Sequence, residues 1–371
     1  MTRFRSGEEG TAPDPAEPPA AAAPGEEAGE GAAARRAART SGRTARRPSD
    51  RLPPYLTITR LPTLRRPVLV MAFEGWNDAG EAASMAARLV VAQHDEQRFA
   101  SIDPEEFFVF TDTRPHLRIT SRGRRRIEWP GNEFFACPAS MRSARERDVI
   151  VLLGTEPDLR WRRFGDIVLE VARRAGVESV VALGSLYADV PHTAPPRINA
   201  YAASPSAEHY PLFSRARLRS SKYEGPTGII SVLSSRFANA GYPVINLWAH
   251  APHYISASPN PVVAARLLRE AAQILDLTVD LSQLDEAAQQ FDEQVREAVA
   301  RDPEATAFVR ELERQYAEES EEEEDDELPA HPGAGELPSG ASMIDALEEF
   351  LRRSRRPPGP GGTAPPGVPG Q

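Results

Sequence analysis

The sequence predicts an α/β fold with three layers, α/β/α, in which helices cover both faces of a mostly parallel central sheet. Three runs, at 68–73, 148–153 and 177–183, are rich in apolar residues, as strands buried on both faces are. Each run ends in a short polar stretch that contains glycine, and helical periodicity follows the first two. Such an alternation of strand and helix is typical of parallel sheets joined by right-handed crossovers.

Length and composition indicate one domain with long appendages. The chain has 371 residues, and its 35 prolines and 25 glycines are concentrated toward both ends. This leaves a core-forming region of roughly 230 residues, which we place at 53–281 as the α/β core domain. Residues 1–52 are rich in Ala, Pro, Gly, Glu and Arg and contain almost no large apolar residue. They are predicted to be a disordered tail, because they cannot bury enough surface to offset the ordering entropy.

Charge and hydropathy exclude several classes of protein. The net charge is −10, with a basic stretch at 35–51 and an acidic one at 318–327, and we interpret both as solvated. Aromatic and basic residues do not interleave as they do in nucleic-acid platforms, so no nucleic-acid partner is expected. No run approaches the roughly 18 apolar residues of a membrane span, and no apolar signal core stands at the N-terminus. We therefore expect a cytoplasmic protein without a membrane partner, whose single cysteine, Cys137, is buried and inert.

The first half of the domain is predicted to hold most of the strands. After the strand at 68–73, a helix begins near Asp78, because Ala82, Ala86 and Leu89 recur at helical spacing. A Ser-Arg-Gly turn joins 116–120 to 126–129 as a β-hairpin. Further strands are predicted at 55–59, 107–111 and 134–136.

The second half is predicted to hold most of the helices. A helix with Trp161 and Phe164 on its apolar side ends at Gly176. Residues 188–212 contain five prolines, so we expect an ordered loop or lid without regular structure. The remaining elements are a helix opened by 225–228 and running to about 240, a strand at 244–248, and a helix that starts at Pro261.

Beyond 281 the composition changes to charged helices and linkers. Two helices broken at Asp302-Pro303 form a predicted hairpin at 282–318, whose apolar positions pack on the core or on a neighbouring subunit. An acidic linker follows at 319–340. Residues 341–354 are predicted to be a short amphipathic helix, and 355–371 a disordered Pro-Gly tail.

The polar residues after the strands form the candidate site. Ligands in open α/β sheets gather at the carboxyl ends of strands, where the N-termini of helices also point. The crevice there would be lined by residues from several turns, with Thr227 at the start of a further helix. The predicted ligand-binding residues are Glu74, Asn77, Asp78, Glu156, His192 and Thr227.

No complete catalytic set or metal site can be assembled from these residues. Asp78 could cap the following helix and Glu74 could bind backbone amides, which would make both structural. The Walker and G-x-G-x-x-G patterns are absent, and His250 and His253 flank a proline and not a helix. His192 with Asp189 is the better acid–base pair. We therefore predict no catalytic residue, no metal and no cofactor.

Several blocks of the sequence resemble the proteasome assembly chaperone 2 family in its actinobacterial form. The resemblance runs from about 53 to 316 and implies a nucleoside-phosphorylase-like α/β/α domain, roles in chaperoning and assembly, a homo-oligomer that is a trimer, and no established catalytic residue. The blocks are RPVLVMAFEGWNDAGEAASMAARLVV (66–91), DVIVLLGTEPDLRW (148–161), VVALGSLYADVPHTAPP (180–196), YEGPTGIISVL (223–233) and INLWAHAPHYISASPNP (245–261).

Together these observations predict a non-enzymatic, chaperone-like factor that binds an unidentified protein partner and assists in assembling the proteasome or another complex. The alternative is an enzyme or sensor that binds a nucleotide-like or phosphorylated ligand in the strand-end crevice. A third possibility is a structural oligomer whose tails recruit partners. The chain ends Val-Pro-Gly-Gln without the hydrophobic-Tyr-any tripeptide of proteasome-docking chaperones, so we expect docking through the folded surface or the helical hairpin.

Overall fold

The computed structural model describes residues 52–94, 97–138, 147–219, 221 and 223–325. The predicted tail at 1–52, apart from Leu52, the helix at 341–354 and the tail at 355–371 therefore lie outside the described residues. Seven helices are described: α1 (Ala82–Ala92), α2 (Trp161–Ala175), α3 (Pro205–Glu208), α4 (Ile229–Asn239), α5 (Pro261–Leu275), α6 (Ser282–Ala300) and α7 (Pro303–Asp325). The strands are β1 (Leu56–Ile58), β2 (Val68–Glu74), β3 (Gln97–Ile102), β4 (His116–Ile119), β5 (Arg125–Glu128), β6 (Asn132–Cys137), β7 (Val149–Thr155), β8 (Ser179–Ala188), β9 (Ile198–Ala202), β10 (Leu218–Arg219) and β11 (Val244–Pro252).

A nine-stranded sheet forms the centre of the fold, in the order β1-β3-β6-β7-β2-β8-β11-β9-β10. The four middle strands, from β7 to β11, are parallel, as the apolar runs predict. Toward one edge, β1, β3 and β6 pair antiparallel, and on the other side β9 is antiparallel to β11. The sheet is thus mixed, with a parallel centre that carries the strand ends of the candidate site.

The alternation of side chains along β2 shows the three layers directly. Val68, Val70 and Ala72 pack in one core with α1 and α5, whereas Leu69, Met71 and Phe73 pack in the other core with α2 and α4. Successive side chains of a strand point to opposite faces, so a fully apolar strand is what two covered faces require. The predicted α/β/α arrangement is confirmed.

The strand predicted at 107–111 is wrong. These residues form turns after a short 3₁₀ helix, and Phe107 is fully buried with its ring 5.6 Å from that of Phe164 in α2. The strand of this region is β3 instead, which pairs with both β1 and β6. An aromatic-rich run resembles a strand in composition, but here its apolar side chains fill the core from a turn.

The prediction of a loop without regular structure at 188–212 is wrong in part. Strand β9 pairs antiparallel with β11, and α3 follows directly. Pro205 is compatible with α3 because it occupies the first helical turn, where no backbone donor is needed. The prolines at 191, 195 and 196 precede the strand, so the segment divides into a proline-rich loop and an ordered strand that pairs with both β11 and β10.

Helices α6 and α7 pack against the core of the same chain. Leu284 of α6 is buried, and so are Val309 and Leu312 of α7. Arg269 of α5 forms an ion pair with Asp285 at the start of α6. Helix α7 runs to Asp325, so the acidic linker predicted from 319 begins later.

None of the helices in the described part of the chain has the length and hydrophobicity of a membrane span.

Candidate functional site

The turn after β2 brings polar side chains to the carboxyl edge of the parallel strands. Gly75 has a φ of +120°, a conformation that L side chains rarely adopt, and its carbonyl accepts a 3.1 Å hydrogen bond from the amide of Asp78. The backbone of Asn77 bonds to the next strand, because the amide of Ser185 in β8 donates to its carbonyl at 2.9 Å. The turn is therefore fixed by both itself and the neighbouring strand.

Glu156, which follows β7, joins three parts of the site. Its carboxylate accepts from the side-chain amide of Asn77 at 2.9 Å and from the backbone amide of Trp76 at 3.3 Å. It also accepts from the amide of Ile229 at 2.7 Å, the first residue of α4. A carboxylate at a helix N-terminus is stabilised by the helix dipole and satisfies a free amide. Glu156 thus connects β7, the turn after β2 and α4.

Asp78 is buried and caps α1. Its Oδ1 accepts from the amides of Ala83 and Ser84 at 2.7 and 3.2 Å, and the hydroxyl of Ser185 lies 3.4 Å away. Burial raises the pKa of its carboxyl above the ordinary 3.8, while the hydrogen bonds from Ser84, Ala83 and Ser185 oppose that shift. The structural role of Asp78 as a helix cap is therefore observed.

The carboxylate of Glu74 binds an arginine and not the backbone amides that the sequence suggested. It ends β2, and its carboxylate forms an ion pair with Arg88 of α1. The hydroxyl of Thr155 in β7 donates to it at 3.4 Å. Arg88 also donates to Ser84 at 3.1 Å, so the pair continues the network around Asp78. The sequence does not predict this ion pair, because Arg88 lies fourteen positions after Glu74, beyond a turn and within a helix.

His192 lies in a separate group of side chains. Its backbone amide and its Nδ1 each lie 2.7 Å from the hydroxyl of Tyr254. The expected partner, Asp189, lies instead 3.0 Å from Nδ1 of His253. Burial lowers the pKa of His192.

Thr227 is exposed on the segment before α4. The next residue, Gly228, lies so close to the Asn77 side chain that a Cβ atom there would collide with it.

The group around His192 lines an open pocket between the core and the helices α6 and α7. Most of its wall is apolar, and its polar side chains come from five different segments of the chain. The side chain of Asn260 caps α5, and its backbone amide donates a 2.7 Å hydrogen bond to the carbonyl of Gly80. Residues that line the pocket include His192, His250, Asn260, Phe291, Asp292 and Tyr316.

Sequence reasoning missed a row of exposed apolar side chains at the same edge. Trp76 follows β2 and is 64% exposed, while Leu159 follows β7 and is 44% exposed. Tyr187 near the end of β8 and Tyr223 before α4 are also about half exposed. Trp76 stands within a polar turn, which was a signal in the sequence for its exposure.

Among the described residues, no group of three or more His, Cys, Asp or Glu side chains could hold a metal ion. The polar network at the carboxyl edge, the exposed apolar side chains and the parallel centre of the mixed sheet together define an α/β domain whose strand ends present a surface.

Comparison with known proteins identifies the family. The sequence model of the PAC2 family matches residues 72–299, and the chain therefore belongs to the PAC2 family, which confirms the resemblance. Comparison with curated proteins gives no match.

Solved structures agree with this assignment. A PAC2 family protein from Streptomyces avermitilis is 35% identical, with 66% of this chain and 99% of that chain covered and a TM-score of 0.60. A proteasome-assembly chaperone homologue from Mycobacterium tuberculosis is 37% identical, with 65% and 99% covered and a TM-score of 0.56. PbaB of Pyrococcus furiosus, an archaeal proteasome activator, shares the fold at 18% identity, with 66% and 97% covered and a TM-score of 0.54.

Proposed function

We propose that this chain is a non-enzymatic, chaperone-like factor that binds a protein partner and assists in assembling a complex related to the proteasome. Membership of the PAC2 family supports a protein-binding role, and the similar Mycobacterium tuberculosis structure is a proteasome-assembly chaperone homologue. The observation that carries the proposal is the row of exposed apolar side chains at the carboxyl edge, which we call the edge surface: Trp76, Leu159, Tyr187 and Tyr223.

Exposed aromatic side chains of this kind favour a protein partner. Trp and Tyr are enriched among the residues that contribute most to protein–protein binding, because they bury much apolar area at low entropic cost. Strand ends of neighbouring parallel strands lie about 5 Å apart, so residues that follow β2, β7 and β8 share one edge.

The state of the polar side chains supports a binding protein over an enzyme. Glu156 accepts three hydrogen bonds, Asp78 caps a helix, and Glu74 is paired with Arg88. A general base must have a lone pair free to take a proton from a substrate. Oδ2 of Asp78 has no hydrogen-bond partner among the described residues, but it is buried, so these carboxylates mainly hold the turns and helix ends of the fold.

The proposal is tested by titrating the full chain against the purified proteasome core particle of the organism that encodes it. Biolayer interferometry on the immobilised chain should show saturable binding with a micromolar or tighter dissociation constant. Absence of binding up to about 100 μM would remove the proteasome as the partner, since such an affinity is too weak for a specific assembly factor.

A second candidate function is a sensor for a nucleotide-like or phosphorylated ligand in the crevice of Glu74, Asn77, Asp78, Glu156 and Thr227, with His192 from the neighbouring group. The observation that favours it is the Oδ1 atom of Asn77, which is buried and has no hydrogen-bond partner within the described part of the chain. Buried polar atoms are usually satisfied. A thermal-shift screen with nucleotides, phosphate and divalent ions tests this, because a ligand at 100 times its dissociation constant adds about 2.7 kcal/mol of stability.

A further inference from the structure

The β4–β5 hairpin forms a separate two-stranded sheet outside the nine-stranded one. All eight of its strand residues are exposed, so neither of its faces packs on the described core. A sheet of two strands is marginally stable at best in water, whereas three strands with an apolar face can be stable on their own. The hairpin therefore has the form of an incomplete sheet, to which a further strand could be added.

The two faces of the hairpin differ in their chemistry. Leu117 lies opposite Ile127 on one face, and Ile119 lies two residues along β4 on that same face. The exposed fractions of these three side chains are 58%, 54% and 74% in that order. On the other face Arg118 lies directly opposite Arg126, and like charges in such a pair destabilise a sheet. One face thus offers aliphatic area, and the other offers positive charge.

The hairpin carries a large excess of positive charge. Residues 114–128 contain six arginines and one glutamate. That glutamate, Glu128, forms an ion pair with Arg118 at 3.2 Å. Among the described residues, no carboxylate pairs with the other five arginines, three of which are consecutive at 124–126 and lie at the start of β5. The chemistry that complements β5 is therefore acidic.

The outer edge of β5 is free to pair with another strand. The Thr120 amide donates to the Arg124 carbonyl at 2.8 Å, and pairs along an antiparallel ladder alternate between hydrogen-bonded and non-hydrogen-bonded. Counting along the ladder from that pair, the N–H and C=O groups of Arg125 and Ile127 point away from β4. They have no hydrogen-bond partner within the described ranges. A free strand edge of this kind is a template for pairing with another chain.

We propose that the outer edge of β5 binds, as a third strand, an extended segment of a partner protein in which apolar and acidic residues alternate. Residues that lie opposite each other in adjacent strands share a face, so this alternation fits both faces of the hairpin at once. Apolar side chains of the segment would extend the face of Ile127. Its carboxylates would lie beside Arg124 and Arg126 on the other face. Main-chain hydrogen bonds supply the affinity in such strand addition, and alternate side chains supply the specificity.

Two other occupants fit this edge less well. A second copy of the hairpin would add its own excess of arginines, which repel the first set. A two-stranded ribbon is narrow enough for the major groove of duplex DNA, but DNA would cover the three aliphatic side chains with little apolar surface. The proposal concerns a surface other than the edge surface and does not depend on the proposed function.

Fluorescence anisotropy on the full chain tests the proposal with a short labelled peptide in which valine and glutamate alternate. We expect saturable binding with a dissociation constant below about 100 μM, and absence of binding would overturn the proposal. A peptide with the same residues in two blocks should bind at least ten-fold more weakly, because only the alternating order matches both faces. Equal affinity for the two peptides would show attraction by charge alone and overturn the proposal. Tighter binding of a labelled DNA duplex than of the alternating peptide would overturn it in favour of nucleic acid.

Two proline variants show whether the peptide adds to the edge of β5. Ile127→Pro and Leu117→Pro each remove one outward N–H group and one member of the same cross-strand pair, but on opposite edges of the hairpin. Ile127→Pro should weaken peptide binding at least ten-fold more than Leu117→Pro does. An equal loss in the two variants, or a greater loss in Leu117→Pro, would contradict strand addition at β5.

A charge variant keeps the test valid if either proline disturbs the hairpin. Arg126→Glu places a carboxylate opposite Arg118, which favours the hairpin, and it should weaken binding of the alternating peptide at least ten-fold. The matched control is Arg310→Glu, which makes the same change in net charge at an exposed position of α7. Unchanged affinity in Arg126→Glu, or an equal loss in the control, would overturn the proposal.

Discussion

At the scale of single residues, the candidate site is held together by one carboxylate. Glu156 accepts from the turn after β2 and from the first amide of α4. The sequence predicts that this glutamate lies at the strand-end edge, since it follows an apolar strand. Its partners could not be predicted, because they come from segments about eighty and seventy residues away whose meeting depends on the crossover connections.

Glu156→Ala should lower the free energy of unfolding by about 2–4 kcal/mol, because it leaves the buried Asn77 amide and the Ile229 amide without an acceptor. Urea unfolding of the variant measures the loss. Glu224→Ala is the control, since Glu224 is exposed on the segment before the same helix and should change stability by less than about 0.5 kcal/mol. A neutral Glu156→Ala would show that this network does not hold the edge together.

Asp78→Asn should change the pH dependence of stability. Burial raises the pKa of this carboxyl above 3.8, so the folded state holds the proton more tightly than the unfolded chain does. Its contribution is full below the unfolded value and is lost as pH rises through the raised one. Asparagine keeps the accepting oxygen and cannot ionise, so the variant should gain stability relative to the parent as pH rises from 3.8 through the raised pKa of Asp78. A constant difference between the two urea midpoints across that range would contradict the assignment.

At the scale of elements, the apolar stripes of α6 and α7 are covered mainly by the chain's own core. Leu284, Val309 and Leu312 are buried, and the ring of Phe308 lies against His253 and Tyr254 at 5.8 and 5.6 Å. Helical periodicity predicts both helices and the break at Asp302-Pro303. It does not say which surface receives them, since that depends on where the proline-rich loop and the start of α5 lie.

Leu312→Ala should cost about 2–4 kcal/mol of unfolding free energy, because the side chain is buried between α7 and the core. Leu159→Ala is the matched control, since the same substitution at a 44% exposed leucine leaves no buried cavity. Urea unfolding compares the two. Equal and small effects would mean that α7 does not pack on the core in solution.

The elements also show where sequence patterns fail. Uniformly apolar strands and amphipathic helices were predicted close to their observed positions. A strand buried on both faces is a continuous apolar run, and a helix buried on one face has apolar residues at helical spacing. The error at 107–111 comes from composition, because an aromatic-rich run resembles a strand even where its side chains fill the core from a turn. Strands β3 and β9 were missed because each is short and depends on its pairing partners. Strand β3 begins with Gln97 and Arg98, both exposed, and β9 begins at Ile198 just after two prolines.

At the scale of the whole molecule, we expect the chain to form a homotrimer. The family resemblance implies this state, and Phe308 of α7, which is 43% exposed, offers apolar area for a contact between copies. Multi-angle light scattering on the full chain at micromolar concentration should give three times the mass of one chain. A mass equal to one chain at every concentration up to 50 μM would contradict the prediction.

The central claim is that the edge surface binds a protein partner. The most direct measurement is the affinity of the doubly substituted chain Trp76→Ala with Leu159→Ala for the proteasome core particle, by interferometry. We expect the double variant to bind with at least a ten-fold weaker dissociation constant, because both substituted side chains are exposed on the edge surface and the backbone contacts around them remain in place. Leu61→Ala, which removes a 40% exposed leucine before the amino end of β2, should bind like the parent. Unchanged affinity of the double variant, or an equal loss in Leu61→Ala, would contradict the account.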